Sequence, residues 1–111
     1  MTLSEKINQA PETITFPEVI AYIDAHYDFT PTRFTNGTAI NEAGQNNGSC
    51  KIFSFAKLLG LSQAQTLELF GDYYRKDVLD YPFGSDHQNI RNFMQSGWER
   101  IQFEGEALRK K

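Results

Sequence analysis

NGTAINEAGQNNGSCKIFSF, residues 36–55, carries the chain from a loop rich in glycine and asparagine into an apolar helix. Asn36-Gly37, Gly44 and Asn46-Asn47-Gly48 are turn signals, and the helical spacing of apolar residues resumes only after them. Ser49 is a residue type that favours a helix N-cap, so we expect a helix to begin there. The stretch therefore predicts a long loop that leads directly into a core helix.

Length and charge limit what the chain can be. With 111 residues, 40% of them hydrophobic and 14% aromatic, it is expected to form one domain, 1–111, with an aromatic-rich core. A net charge of −3 argues against nucleic-acid binding, and the basic end at residues 109–111 is expected to be solvated. There is no run of about 20 apolar residues for a membrane span. One cysteine cannot form an internal disulfide, which fits a reducing compartment.

The remaining pattern is mostly helical. Capping boxes at Thr2-x-x-Glu5, Thr15-x-x-Glu18 and Ser62-x-x-Gln65 predict three helix starts, because the first and last residues of each box satisfy each other's free N–H groups. The helix that follows the second box should end near His26. Asp86 is expected to cap a last helix. The sequence thus predicts a mainly α fold.

Three further features complete the predicted fold. The helix from the third capping box is expected to run through Gly71 to Val78, at a cost of about 1 kcal/mol for the internal glycine. Residues 28–48 are expected to form a long ordered loop. A strand at 33–35 could pair with 101–103 as a minor two-stranded β patch. The predicted architecture is a small single-domain helical bundle.

Cys50 is the candidate nucleophile. It falls in the first turn of the predicted helix, where free N–H groups and the helix dipole lower the pKa of a thiol. The triplet GSC with Gln45 upstream resembles the cysteine region of papain-like proteases, although Gln45 stands five residues before the cysteine instead of six. His87 is the candidate base, and Asp72 or Asp86 could orient its ring. In the alternative interpretation, Cys50 packs as a small hydrophobe.

A second set of polar residues could form either a hydrogen-bonded network or a binding surface. A pocket beside Gln45 and Tyr74 would favour a ligand. Carboxylates between residues 72 and 86 could hold a cation, but they show no EF-hand spacing and there is no zinc set, so no metal and no cofactor are expected. The binding candidates are Asn36, Gln45, Asn46, Asn47, Tyr74, Arg75, Asp86, Asn89 and Arg91.

FTNGTAINEAGQNNGSCKIFSFAKLLGLS and QTLELFGDYYRKDVLDYPFGSDHQNIRNFMQSGW resemble the HopJ type III effector family, with similarity over residues 16–108. The resemblance implies a small soluble bacterial protein, located in the bacterial cytoplasm or secreted into a host cell by type III secretion. It implies no reaction and no catalytic residues.

Two functions follow as hypotheses. In the first, the chain acts through a surface that binds a ligand or a host or bacterial protein, with no nucleic acid and no membrane involved. In the alternative, it is a small cysteine-dependent hydrolase or transferase that uses Cys50 and His87. The sequence does not indicate an oligomeric state.

Overall fold

A computed structural model describes all residues, 1–111, as one α and β assembly. The α-helices are α1 (Leu3–Gln9), α2 (Phe16–His26), α3 (Asn47–Leu59), α4 (Gln63–Glu68) and α5 (Gln88–Ser96), with 3₁₀ turns at Pro11–Thr13 and Gly97–Arg100 and a π-helical segment at Tyr73–Val78. The strands are β1 (Tyr27–Phe29), β2 (Phe34–Asn36), β3 (Ala39–Asn41), β4 (Ile101–Phe103) and β5 (Leu108–Lys110). The helical content agrees with the predicted mainly α character. The fold also contains two small sheets.

The capping boxes predicted from the sequence are confirmed. The side chains of Thr2, Thr15 and Ser62 each accept a hydrogen bond from the backbone three residues on, and the Glu or Gln there returns one. Helix α2 ends at His26 as expected. These local signals set the helix starts because they satisfy N–H groups that a helix cannot satisfy internally.

The predicted long loop over residues 28–48 is wrong in its central part, where the chain forms a β-hairpin. Strands β2 and β3 pair antiparallel, with Asn36 opposite Ala39. Gly37 has a φ of +62° at the first turn position, a conformation that glycine adopts without steric cost. Gly37 and Thr38 therefore form the two-residue turn of the hairpin.

Strands β1 and β2 also pair with strands from residues 101–110. Phe34 lies opposite Phe103, so the predicted patch of 33–35 with 101–103 is confirmed with a shift of one residue, in a three-stranded sheet of order β3-β2-β4. Strand β1 pairs with β5, with Tyr27 opposite Lys110. The basic end, residues 109–111, is exposed as expected, and residues 109 and 110 also belong to strand β5.

Gly71 lies in the turn after α4 instead of inside a helix. Its φ is +61°, and a Cβ atom there would come within 2.7 Å of the Phe16 backbone nitrogen. The predicted helix from Ser62 to Val78 is consequently split into α4 and the π-helical segment. The close approach brings the start of α2 against the chain after α4, and only glycine allows it.

The core is built around aromatic rings. Phe53 on α3 lies at the centre, with its ring centroid 4.9 Å from that of Phe93 and 5.4 Å from that of Phe70. Phe34 and Trp98 contact the same ring edge-on. Phe53 and Phe93 are fully buried, so α3 and α5 depend on one another for burial of their apolar faces.

Truncation of Phe93 tests this core. Phe93→Ala should lower the free energy of unfolding by about 3–5 kcal/mol, because a buried ring is replaced by a cavity. Phe83→Ala is the matched control, since Phe83 is 100% exposed and the chemical change is identical. Urea unfolding followed by circular dichroism measures both. Equal effects of the two substitutions would contradict the placement of α5.

Candidate functional site

Two helices begin in an unusual conformation on one side of the molecule. The residue before α3 is Asn46, with φ 52° and ψ 48°, and the residue before α5 is His87, with φ 51° and ψ 46°. They are the two residues other than glycine with positive φ, and neither caps its helix with a side chain. The predicted caps, Ser49 and Asp86, are therefore both wrong.

The missing caps leave backbone donors free. In α3, the first N–H group that donates to a carbonyl oxygen is that of Cys50, and its acceptor is Asn46. In α5, the first is that of Arg91, and its acceptor is His87. The three N–H groups before each, at residues 47–49 and 88–90, have no acceptor within the chain. These ends also carry the positive poles of the two helix dipoles.

Both helix starts line one cleft of about 480 Å³. Strand β3 supplies one wall, and the rings of Phe16 and Tyr73, 5.1 Å apart between centroids, form the opposite wall. No carboxylate lines the cleft, and His87 is its one basic side chain. The lining residues are Phe16, Ala39, Ile40, Asn41, Asn46, Gly48, Ser49, Phe70, Tyr73, His87, Gln88, Asn89 and Ile90.

A network of asparagine amides fixes the hairpin against α5 beside the cleft. Asn89 donates from Nδ2 to Asn41 Oδ1 over 2.9 Å, and Asn41 donates back to Asn89 Oδ1 over 3.1 Å. Asn46 Nδ2 donates to Asn41 Oδ1 over 2.7 Å. Asn36 Nδ2 donates to the Asn89 backbone oxygen over 2.7 Å. These bonds correspond to the predicted network interpretation of the asparagines.

His87 is held by acidic neighbours outside the cleft. Its Nε2 atom lies 3.2 Å from Asp77 Oδ2 and 3.8 Å from Asp86 Oδ2. The Tyr73 ring lies 5.3 Å from the His87 ring between centroids. Arg91 donates a hydrogen bond to the Asp86 carboxylate, and this bond lowers the pKa of Asp86. His87 is thereby oriented at the edge of the cleft.

Cys50 lies apart from this cleft. Its side chain is buried, with 1% exposed, and Sγ donates to the Thr32 carbonyl oxygen over 3.6 Å. Burial raises the pKa of the Cys50 thiol. Asp72 is exposed and faces Lys76 at 3.7 Å. The three catalytic candidates Cys50, His87 and Asp72 thus have separate partners, and the geometry gives the cysteine-hydrolase hypothesis no support.

The remaining candidates divide between cleft and scaffold. Asn46 and Asn89 line the cleft, whereas Gln45 folds its own loop by accepting from the Glu42 N–H. The Arg75 guanidinium donates to the carbonyl oxygens of Pro11, Ile14 and Glu68.

Three other candidates lie outside the cleft. Burial raises the pKa of Tyr74, and the charge of Glu68 acts in the same direction. Arg91 donates to the backbone around Asp86, and Asn47 contributes to the helix start through its backbone.

Sequence reasoning missed the aromatic wall. The pocket was expected beside Tyr74, but its neighbour Tyr73 lines the cleft and is 45% exposed. A Cβ atom on Gly48 would lie 2.9 Å from Phe16 Cζ. The close approach of Phe16 therefore explains why residue 48 is glycine. The spacing of residues in the sequence does not reveal this contact.

Fold and cleft together define a small α and β domain with a polar, partly aromatic cleft between two helix starts. The chain belongs to the HopJ type III effector protein family, whose model matches residues 1–108. The resemblance predicted from the sequence is thereby confirmed.

A solved structure is similar throughout. The crystal structure of the unknown function protein VPA0580 is 52% identical in sequence, covers 100% of this chain and 95% of its own, and superposes with a TM-score of 0.96. None of the curated proteins matches the chain. No helix is long and apolar enough to cross a membrane.

Thiol labelling tests the position of Cys50. Iodoacetamide should modify the native protein slowly between about pH 7 and pH 9, because the thiol is buried and its raised pKa keeps it protonated. Mass spectrometry measures the rate, with Cys50→Ala/Ser85→Cys as the control that carries an exposed thiol. Fast labelling of the native wild type at pH 7 would contradict the burial of Cys50 and support its role as a nucleophile.

Proposed function

We propose that this chain is a binding protein and that its cleft takes a small molecule with a carboxylate or phosphate group. The observation that carries the proposal is the meeting of two uncapped helix starts in one concave cleft. A cleft of about 480 Å³ lies in the size range of small-molecule sites. Convergent polar groups in such a cleft are the usual mark of a binding site.

The donors in the cleft suit an anion. Each helix start offers three free N–H groups, and those of Gly48, Ser49 and residues 88–90 belong to residues that line the cleft. Each also carries the equivalent of about half a positive charge. Phosphate and carboxylate groups bind at helix starts for this reason. Since no carboxylate lines the cleft, nothing in its wall repels them.

The aromatic wall suits the rest of such a ligand. Phe16 and Tyr73 contact edge to face, which leaves ring surface directed at the cleft. A flat or apolar part of the ligand can pack there while the anionic group reaches the backbone donors. His87, at the cleft edge beside Tyr73, supplies a ring that donates to an anion when protonated.

A nuclear magnetic resonance titration tests the proposal. Inorganic phosphate, and then a panel of small aromatic phosphates and carboxylates, should shift the amide resonances of residues 47–49 and 88–90 together. Tyr73→Ala should weaken binding of the aromatic ligands. Tyr22→Ala should not, because Tyr22 is similarly exposed, at 40%, and lies outside the cleft.

Two results would contradict the proposal. One is the absence of shifts at both helix starts with every ligand in the panel. The other is equal affinity of the Tyr73→Ala and Tyr22→Ala variants for aromatic ligands.

The family description supports a second part of the proposal, delivery by type III secretion. The chain would then meet its ligand, or a protein partner, in a host cell. A translocation reporter fused to the C-terminal end should enter host cells from a wild-type strain and not from a secretion-deficient one. Equal signals from both strains would contradict delivery by this route.

A further inference from the structure

The segment between the π-helical turn and α5 presents an unusual amount of apolar surface. Phe83 is 100% exposed, Tyr81 68% and Leu79 46%. We call residues 79–84 the aromatic loop. A phenylalanine ring without any cover is costly in water, and clusters of such residues mark interaction surfaces.

Arg91 holds the aromatic loop in a fixed shape. Its side chain is 10% exposed, and it donates to the Tyr81 carbonyl oxygen over 2.7 Å and to the Asp86 carbonyl oxygen over 2.6 Å. The same guanidinium binds the Asp86 carboxylate at 2.7 Å. A Cβ atom on Gly84 would lie 2.5 Å from Arg91 Nη2. These bonds hold the backbone on both sides of Phe83, so the loop backbone loses little conformational entropy on binding.

An apolar groove of about 450 Å³ lies elsewhere on the surface, between α3 and the segment that joins β4 to β5. It shares no residue with the cleft or with the aromatic loop. Ser54 in its wall is 7% exposed, and its hydroxyl has no hydrogen-bond partner. Leu58 and Phe103 supply apolar walls, and Leu58 is 56% exposed. We call this the α3 groove.

Charge is opposite on the two surfaces. Asp80 lies within the aromatic loop, and Asp77 and Asp86 lie on either side of it, where they contact His87 and Arg91. The α3 groove is bordered by Lys57, whose ammonium lies 5.8 Å from the Phe103 ring centroid, and by the basic end of β5. Two acids also lie in the segment between β4 and β5, and each is paired with an arginine: Glu104 with Arg33 at 2.7 Å and Glu106 with Arg109 at 3.5 Å.

We propose that the chain associates with a second copy of itself, the aromatic loop of one molecule placing Phe83 in the α3 groove of the other. Apolar shape and opposite charge favour this occupant over an unrelated protein, because both halves of the contact are present in the same chain. Each molecule offers one loop and one groove, so a two-fold pair contains the contact twice. The surfaces are small, which predicts weak and reversible association.

Sedimentation equilibrium between about 10 μM and about 1 mM tests the proposal. The average mass of the wild type should rise with concentration, and added salt should reduce the rise because opposite charges meet. Phe83→Ala, which removes the inserted ring, should remain monomeric. So should Lys57→Glu, which places an acid on the groove. Leu59→Ala is the control, since Leu59 is 48% exposed and outside the groove, and it should associate like the wild type.

A mixture of the two defective variants separates this contact from any other. Phe83→Ala keeps an intact groove and Lys57→Glu keeps an intact loop, so an equimolar mixture should form a heterodimer through one of the two contacts, more weakly than the wild type, although neither variant associates alone. Circular dichroism checks that both are folded, as expected for substitutions of exposed residues. A monomeric wild type, association of Phe83→Ala at the wild-type level, or failure of the mixture to associate would each overturn the proposal.

Discussion

The buried amide network around Asn89 is the constraint on which the rest of the structure depends. Asn36 and Asn41 are almost fully buried, at 0% and 2% exposed, and both bind Asn89 on α5. A buried amide without partners costs about 1–3 kcal/mol, so the hairpin cannot shift relative to α5 without loss. Asn36 Oδ1 is the one oxygen of this group that stays unpaired. The network fixes the wall of the cleft and the position at which α5 begins.

Two glycines complete the placement of the cleft by admitting Phe16. Gly71 lets the Phe16 backbone approach the end of α4, and Gly48 lets the Phe16 ring approach the start of α3. A side chain at either position would displace the aromatic wall. Hydrogen bonds between asparagines thus fix one part of the cleft, and two glycines leave the space that Phe16 needs in the other part.

Local signals in the sequence were sufficient where a structure depends on neighbouring residues, and failed where it depends on distant ones. The capping boxes and the end of α2 at His26 follow from short-range hydrogen bonds and could be predicted. Asp86 is a better N-cap than His87 by residue preference, whereas Asn46 and Ser49 rank equally, so preference alone cannot choose between those two. Asp86 instead accepts a hydrogen bond from Arg91, five residues later in the chain, a spacing that no capping motif describes. Strands of three residues are also too short to show an alternating pattern of apolar residues. The cleft could not be predicted either, because only the tertiary fold brings its two helix starts together.

The pairing of both sheets has a consequence for the order in which the chain can fold as it is synthesised. Strand β4 pairs with β2, and β5 pairs with β1, so each sheet joins an early segment to a late one. Contacts between such distant segments carry a large loop-closure cost and form late. The three-stranded sheet lacks an edge strand and β1 lacks any partner until residues 101–110 have left the ribosome. In a nascent chain, β1 and β2 therefore stay without these partners until the residues through 110 have been synthesised.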